Sequence, residues 1–138
     1  MATIEASTII NAPVDKVWEI VSDIDNEPKF WKGTKQIRNI SKDGNIVKRE
    51  VTIAFKDSKC MQIVTLYPKE KIVGQFTEGI LNGTKTVKLT SVENGTKLEA
   101  VWDVKLSGMM GMFTGMVKKH IKNGTEQALE SIKQEIEK

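Results

Sequence analysis

Residues 96–106 read TKLEAVWDVKL, and the alternation within them decides the fold. Leu98, Ala100, Trp102, Val104 and Leu106 fall on one face of an extended chain; Lys97, Glu99, Asp103 and Lys105, with Val101, fall on the other. Successive side chains of a strand point to opposite sides, so one face of this strand is wet and the other buried. The same period of two recurs upstream in runs at about 34–42, 46–56, 59–67, 71–78 and 84–92. Between the runs stand KDGN, KDS, YPKEK, EGILNG and ENG, all short turn signals. Six successive strands joined this tightly form an antiparallel meander, because parallel pairing requires long crossovers.

An apolar sheet face needs a cover, and the long element left for it is the segment from about Met109 to Glu137. As a continuous helix it would span ~43 Å at about 1.5 Å per residue. Its predicted inward stripe is Phe113, Met116, Val117, Ile121, Ala128, Ile132 and Ile136. Gly124 interrupts the stripe and predicts either a kink near KNGTE or close packing on the sheet. Just before the helix, SGMMGMFTG (107–115) holds methionines at 109, 110 and 112 among three glycines. It is too short and too glycine-rich for a membrane span, which needs about 20 apolar residues. Methionine repacks at low cost. Met109, Met112, Phe113 and Met116 are therefore predicted to border a cavity mouth at a hinge-like start of the helix.

Toward the N-terminus, residues 3–11 predict a strand ending at NAP, and Pro13 suits the first turn of a helix. Val14, Val17, Trp18 and Val21 then repeat with helical spacing. SDIDNEP breaks that helix, and a second short turn carries Phe30 and Trp31. The order is strand, two short helices, six strands, long helix. It specifies an α+β layer, a curved antiparallel sheet wrapped around one C-terminal helix, in a single domain over residues 1–138.

Composition narrows the function classes. A net charge of +3, from 21 basic and 18 acidic residues spread along 138, is too mild and mixed to argue for nucleic acid. One cysteine, Cys60 in the apolar run CMQIVTLY, excludes an internal disulfide and a multi-cysteine metal site, and it reads as a buried structural thiol. Neither a signal peptide nor a membrane-length apolar run is visible, so a soluble cytoplasmic protein without metal or cofactor is expected.

The opening IEASTIINAPVDKVWEIVSDIDNEPKFW (4–31) resembles that of the START-like or Bet v 1-like (SRPBCC) superfamily, in particular its polyketide cyclase/dehydrase and lipid-transport branch. The meander and terminal helix extend the likeness to nearly the whole chain. The resemblance implies a helix-grip fold with a cavity between the concave sheet and the terminal helix. It also implies a function among the binding or transport of a hydrophobic small molecule or lipid, cyclase/dehydratase catalysis, and assistance to a protein partner such as a chaperone or the ribosome.

Candidate site residues follow from strand parity. Arg49 shares parity with Val47, Val51, Ile53 and Phe55. It is either a buried or cavity-facing guanidinium suited to a carboxylate or polar headgroup, or a sheet-end residue reaching solvent. Glu78 shares parity with Ile72, Gly74 and Phe76; it pairs with Arg49, acts as an acid or base, or sits solvated at the strand end. Tyr67 shares parity with Met61, Ile63 and Thr65, and either orients a ligand carbonyl or keeps a wet hydroxyl. His120, the sole histidine, is either a proton carrier or a helix-edge residue. No nucleophile–base–acid set is visible, so the catalytic candidates stop at these four. Phe55, Phe76, Trp102, Met109, Met112, Phe113 and Met116 are expected as an apolar ligand-binding wall, with a tight core as the alternative.

Overall fold

The structure, a computed structural model, describes residues 2–106 and 115–138. Strand β1 (Ala2–Ile10) leads through helix α1 (Val14–Val21) and a 3-10 turn (Ile24–Asn26) to the short helix α2 (Glu27–Phe30). Six strands follow: β2 (Thr34–Asp43), β3 (Ile46–Ile53), β4 (Lys59–Tyr67), β5 (Lys71–Gly79), β6 (Leu81–Val92) and β7 (Gly95–Leu106). Helix α3 (Gly115–Glu137) ends the chain. The strands form one antiparallel sheet in the order β1-β7-β6-β5-β4-β3-β2, a meander with β1 returning beside β7. This is the antiparallel meander that the alternating runs predict, in the helix-grip fold that the family resemblance implies.

The strand β1 lies at a sheet edge, where carbonyls without a neighbouring strand are exposed to wrong pairing. Helix α3 runs alongside it and occupies two of them. Lys122 donates to the Glu5 carbonyl and Lys133 to that of Ile9, while Glu137 accepts from the Asn11 amide at 2.8 Å. Ala128, Leu129, Ile132 and Ile136 of α3 pack into one core cluster with Ile10, Val17, Val21, Trp31, Leu98 and Ala100. A second cluster gathers Cys60, Phe76, Leu81, Val104 and Leu106, and Trp102 packs against both.

Several boundaries and faces differ from the sequence expectation. The α3 stripe is Thr125, Ala128, Leu129, Ile132 and Ile136, with Val117 and Ile121 half-buried. Met116 is 82% exposed. It lies nine residues before Thr125, which at about 100° per residue sets it on the opposite side of the helix. The helix continues through Gly124, where a Cβ would meet no atom within 4 Å, so close packing does not account for that glycine. The run at 46–56 ends early, at Ile53, because Lys56 and Asp57 turn the chain with φ of 56° and 51°. Phe55 therefore leaves the sheet, half-buried, with Lys56 Nζ 5.4 Å from its ring. EGILNG turns even more tightly than the runs at 71–78 and 84–92 predict, since β5 and β6 are separated by Ile80 alone.

Candidate ligand-binding site

A polar band crosses the inner face of the sheet. Arg49 on β3 stands opposite Gln62 on β4, and Gln62 stands opposite Phe76 on β5. On β6, Lys85 stands between Gly74 of β5 and Trp102 of β7. These positions alternate with outward residues, so the sheet's own pleat aims them at the space covered by α1, α2 and α3.

Arg49 is 2% exposed and fully engaged. Its Nε donates to Gln62 Oε1 at 2.8 Å, Nη1 to the Ile24 carbonyl at 3.1 Å, and Nη2 to Glu27 Oε1 at 2.5 Å. One guanidinium thus ties the segment between α1 and α2 down onto β3 and β4. Its planar fork suits three separate acceptors, which an ammonium on a flexible stem would match poorly. Gly74 makes room for the network: a Cβ there would lie 2.5 Å from Gln62 Nε2.

Lys85 is 8% exposed, and its surroundings differ in kind. Its Nζ lies 3.2 Å from the centroid of the Trp31 ring and 5.0 Å from that of Trp102. Among the described residues no carboxylate pairs with it and no acceptor takes a hydrogen bond from it. Burial pushes the ammonium down to about 8; the Glu27 carboxylate opposes that shift and the Arg49 guanidinium adds to it. Contact with indole faces recovers on the order of 2 kcal/mol for a desolvated cation, less than the several kcal/mol that burying one costs.

Trp102 holds this wall in place. Its ring meets Trp31 edge-on, with centroids 6.4 Å apart, and stacks on Phe76 at 6.2 Å and 11°. Its Nε1 donates to Thr125 Oγ1 at 2.9 Å, and Thr125 in turn donates to the Ile121 carbonyl at 2.7 Å. The indole therefore couples the sheet to α3. Next to it, Glu27, Phe30, Trp31, Ile72, Val87 and Ile132 are among the residues lining a cavity of about 20 Å³, room for roughly one water. A wider hollow of about 480 Å³ lies open to solvent beside the β6–β7 hairpin, where Asn11, Pro13, Ser91 and Asn94 line it with no titratable group.

The expected residues divide clearly. Arg49, Phe76 and Trp102 come together on the inner face, Arg49 in its buried alternative. Glu78 does not join them, because an extra residue bulges β5 between the pairs Met61–Glu78 and Gln62–Phe76. The bulge reverses the parity of Glu78, which is exposed opposite Met61. Tyr67 is 42% exposed at the end of β4, with Lys71 Nζ 5.0 Å from its ring, and His120 is exposed on α3. Phe55 stands outside the sheet, and Met116 faces solvent. Met109, Met112 and Phe113 lie outside the described residues. Sequence reasoning passed over Lys85, Gln62, Glu27 and Trp31 as site residues. Lys85 carried the same signal as Arg49, a charge in register with the apolar Val87 and Leu89. Cys60 matches expectation: it is buried, and desolvation raises its thiol.

Comparison with known proteins supports the fold independently. The family model described as polyketide cyclase / dehydrase and lipid transport matches residues 1–137. No curated protein matches by sequence. Among solved structures, the chain is similar to TTHA0849 from Thermus thermophilus, at 13% identity over 98% of this chain and 97% of that one, with a TM-score of 0.84. It is similar to the Zhui aromatase/cyclase from Streptomyces sp. R1128, at 14% identity over 99% and 93% of the two chains, with a TM-score of 0.75. It is also similar to a START superfamily protein from Mycobacterium smegmatis, at 16% identity over 98% and 97%, with a TM-score of 0.76. A sheet that grips α3 over an inner face of mixed aromatic and charged residues, and a family match along nearly the whole sequence, lead to one conclusion: the chain belongs to the polyketide cyclase / dehydrase and lipid transport family.

Proposed function

We propose that the protein binds and carries a hydrophobic small molecule or lipid between the inner sheet face and α3. The observation that carries this reading is the composition of that face. Lys85, Arg49 and Gln62 are buried among Phe76, Trp102 and Trp31, where packing alone favours aliphatic residues. An aromatic wall with a few inward polar groups is the usual make-up of a small-molecule site. The described cavity is water-sized, so loading requires side chains such as Phe30 and Ile132 to repack. Native mass spectrometry of the purified protein, before and after lipid extraction, tests the reading. A retained or titratable apolar ligand is expected; failure to hold any apolar molecule in either state would overturn it.

A cyclase-type activity is the second reading, and the inner-face amine of Lys85 favours it, since a group held near 8 exchanges protons readily near neutrality. The outward positions of Tyr67, Glu78 and His120 shift that reading onto Lys85 and Glu27. Turnover of a polyketide-like substrate that is lost in a folded Lys85→Met variant would support it, and unchanged turnover would remove it.

A further inference from the structure

Resting on the carrier reading, we propose that Lys85 is a headgroup subsite, and that the ligand is an apolar body bearing a single carboxylate. Three charged side chains share the buried band. Arg49 and Lys85 are cations and Glu27 is an anion, so two positive charges face one negative. Glu27 is already bonded to Arg49 at 2.5 Å. That leaves Lys85, a residue 8% exposed overall, with its ammonium between two indole rings and without a counter-ion among the described residues. One carboxylate on Lys85 brings the band to neutrality and supplies the charge-assisted hydrogen bond it lacks. A dianion would reverse the imbalance, and a ligand cation would add a third positive charge.

The neighbours of Lys85 agree with this assignment. Gly74 stands opposite it on β5 and Trp102 on β7, so neither flanking strand brings an acidic side chain to it. From α2 the facing charge is Glu27, and from β3 it is Arg49. The apolar body has a neighbouring surface: Trp31, whose ring Lys85 Nζ contacts, lines a small cavity with Ile72, Val87 and Ile132, alongside Glu27 and the exposed Asp23. A ligand extending along it would place its tail under α3 and its head at the indole pair.

The experiment compares decanoate, decan-1-ol and decylamine, each below its micellar concentration, by native mass spectrometry and tryptophan fluorescence at about pH 7. Wild-type protein is expected to bind decanoate about tenfold more tightly than decanol, the factor expected of one charge-assisted hydrogen bond, and to bind decylamine least. Lys85→Met should equalise decanoate and decanol, whereas Lys85→Arg should retain the preference. The preference should also fade as pH rises well above 8, where the free amine loses its charge. Equal binding of decanoate and decanol by the wild type, or an undiminished preference in folded Lys85→Met, overturns the subsite while leaving the carrier reading intact. Failure of all three probes to bind overturns the subsite, and the carrier reading falls with it if native mass spectrometry before and after lipid extraction also finds no retained apolar molecule. Circular dichroism of the variants establishes folding, and the wild-type headgroup comparison needs no variant at all.

Discussion

Replacing Glu27 by Gln tests the buried band most directly. The change keeps the shape of the side chain and removes the only carboxylate that the described residues place against Arg49. Removing one partner from a buried pair costs about 3–5 kcal/mol, because the remaining charge stays buried and uncompensated. Two features reduce that figure here. The Glu27 side chain retains 16% of its exposure, and Arg49 keeps its bonds to Gln62 and the Ile24 carbonyl. A loss of about 2–3 kcal/mol is therefore expected, which at about 2–4 °C per kcal/mol for a domain of this size lowers Tm by roughly 5–10 °C. Urea unfolding followed by far-UV circular dichroism reads the change as a lower midpoint at constant slope. Combining Glu27→Gln with Arg49→Met should recover at least half of the loss, since the double variant buries neither charge. A loss below about 0.5 kcal/mol in the single variant, or strict additivity in the pair, would refute the claim that the two charges depend on each other.

Three further outcomes follow from the same geometry. Trp102→Phe keeps the ring stack on Phe76 but removes the bond to Thr125 Oγ1; about 1 kcal/mol should be lost in urea unfolding, and no loss would deny the indole its role in holding α3. Gly74→Ala sets a methyl 2.5 Å from Gln62 Nε2, and displacing an amide already committed to Arg49 should cost about 1–3 kcal/mol; a neutral result would mean that Gln62 moves freely. For Lys85 the folded value of about 8 lies below the ordinary 10.5, so the unfolded chain binds more protons between them. Stability should accordingly rise with pH across that window, by up to about 3 kcal/mol from this group, and the rise should disappear in Lys85→Met. Parallel stability–pH curves for the two proteins would refute the assignment.

How far the sequence disclosed this site depends on which physical signal each residue carries. Strand parity is a local property, and it found the sheet, the inner positions of Phe76 and Trp102, and the choice that Arg49 faced. It fails where one residue breaks the register. The bulge at Thr77 turned Glu78 outward, and the left-handed turn at Lys56 and Asp57 took Phe55 off β3; neither is visible in an alternating pattern. Glu27 and Trp31 sit in a short, aperiodic connection, and only the tertiary placement of α2 over the sheet brings them to Arg49 and Lys85. On α3 the stripe beyond Gly124 was legible because Ala128, Ile132 and Ile136 repeat at helical spacing. Met116 was misplaced because it stands next to Val117, about 100° away around the helix, and only Val117 is in phase with Ile121 and Ala128.

Lys85→Met separates two answers to why a charge without a bonded carboxylate stands in this core. If Lys85 serves the fold, its value lies in the indole contacts, and methionine at that position loses on the order of 2 kcal/mol of cation–π attraction. If it serves a ligand, the empty protein carries a desolvated ammonium as a cost, and an apolar side chain of similar length removes that cost. Replacing buried charges by packed apolar groups is often neutral or stabilising by about 1–4 kcal/mol. The geometry favours the second balance, because Lys85 is buried with no carboxylate bonded to it among the described residues, and burial is the main influence lowering its proton affinity. The variant is therefore expected to unfold at equal or higher urea concentration at neutral pH while losing its preference for a carboxylate head. A variant less stable by about 2 kcal/mol with the headgroup preference intact would show that the indole pair and the ammonium are a structural device of the sheet, and that the ligand's polar end lies elsewhere.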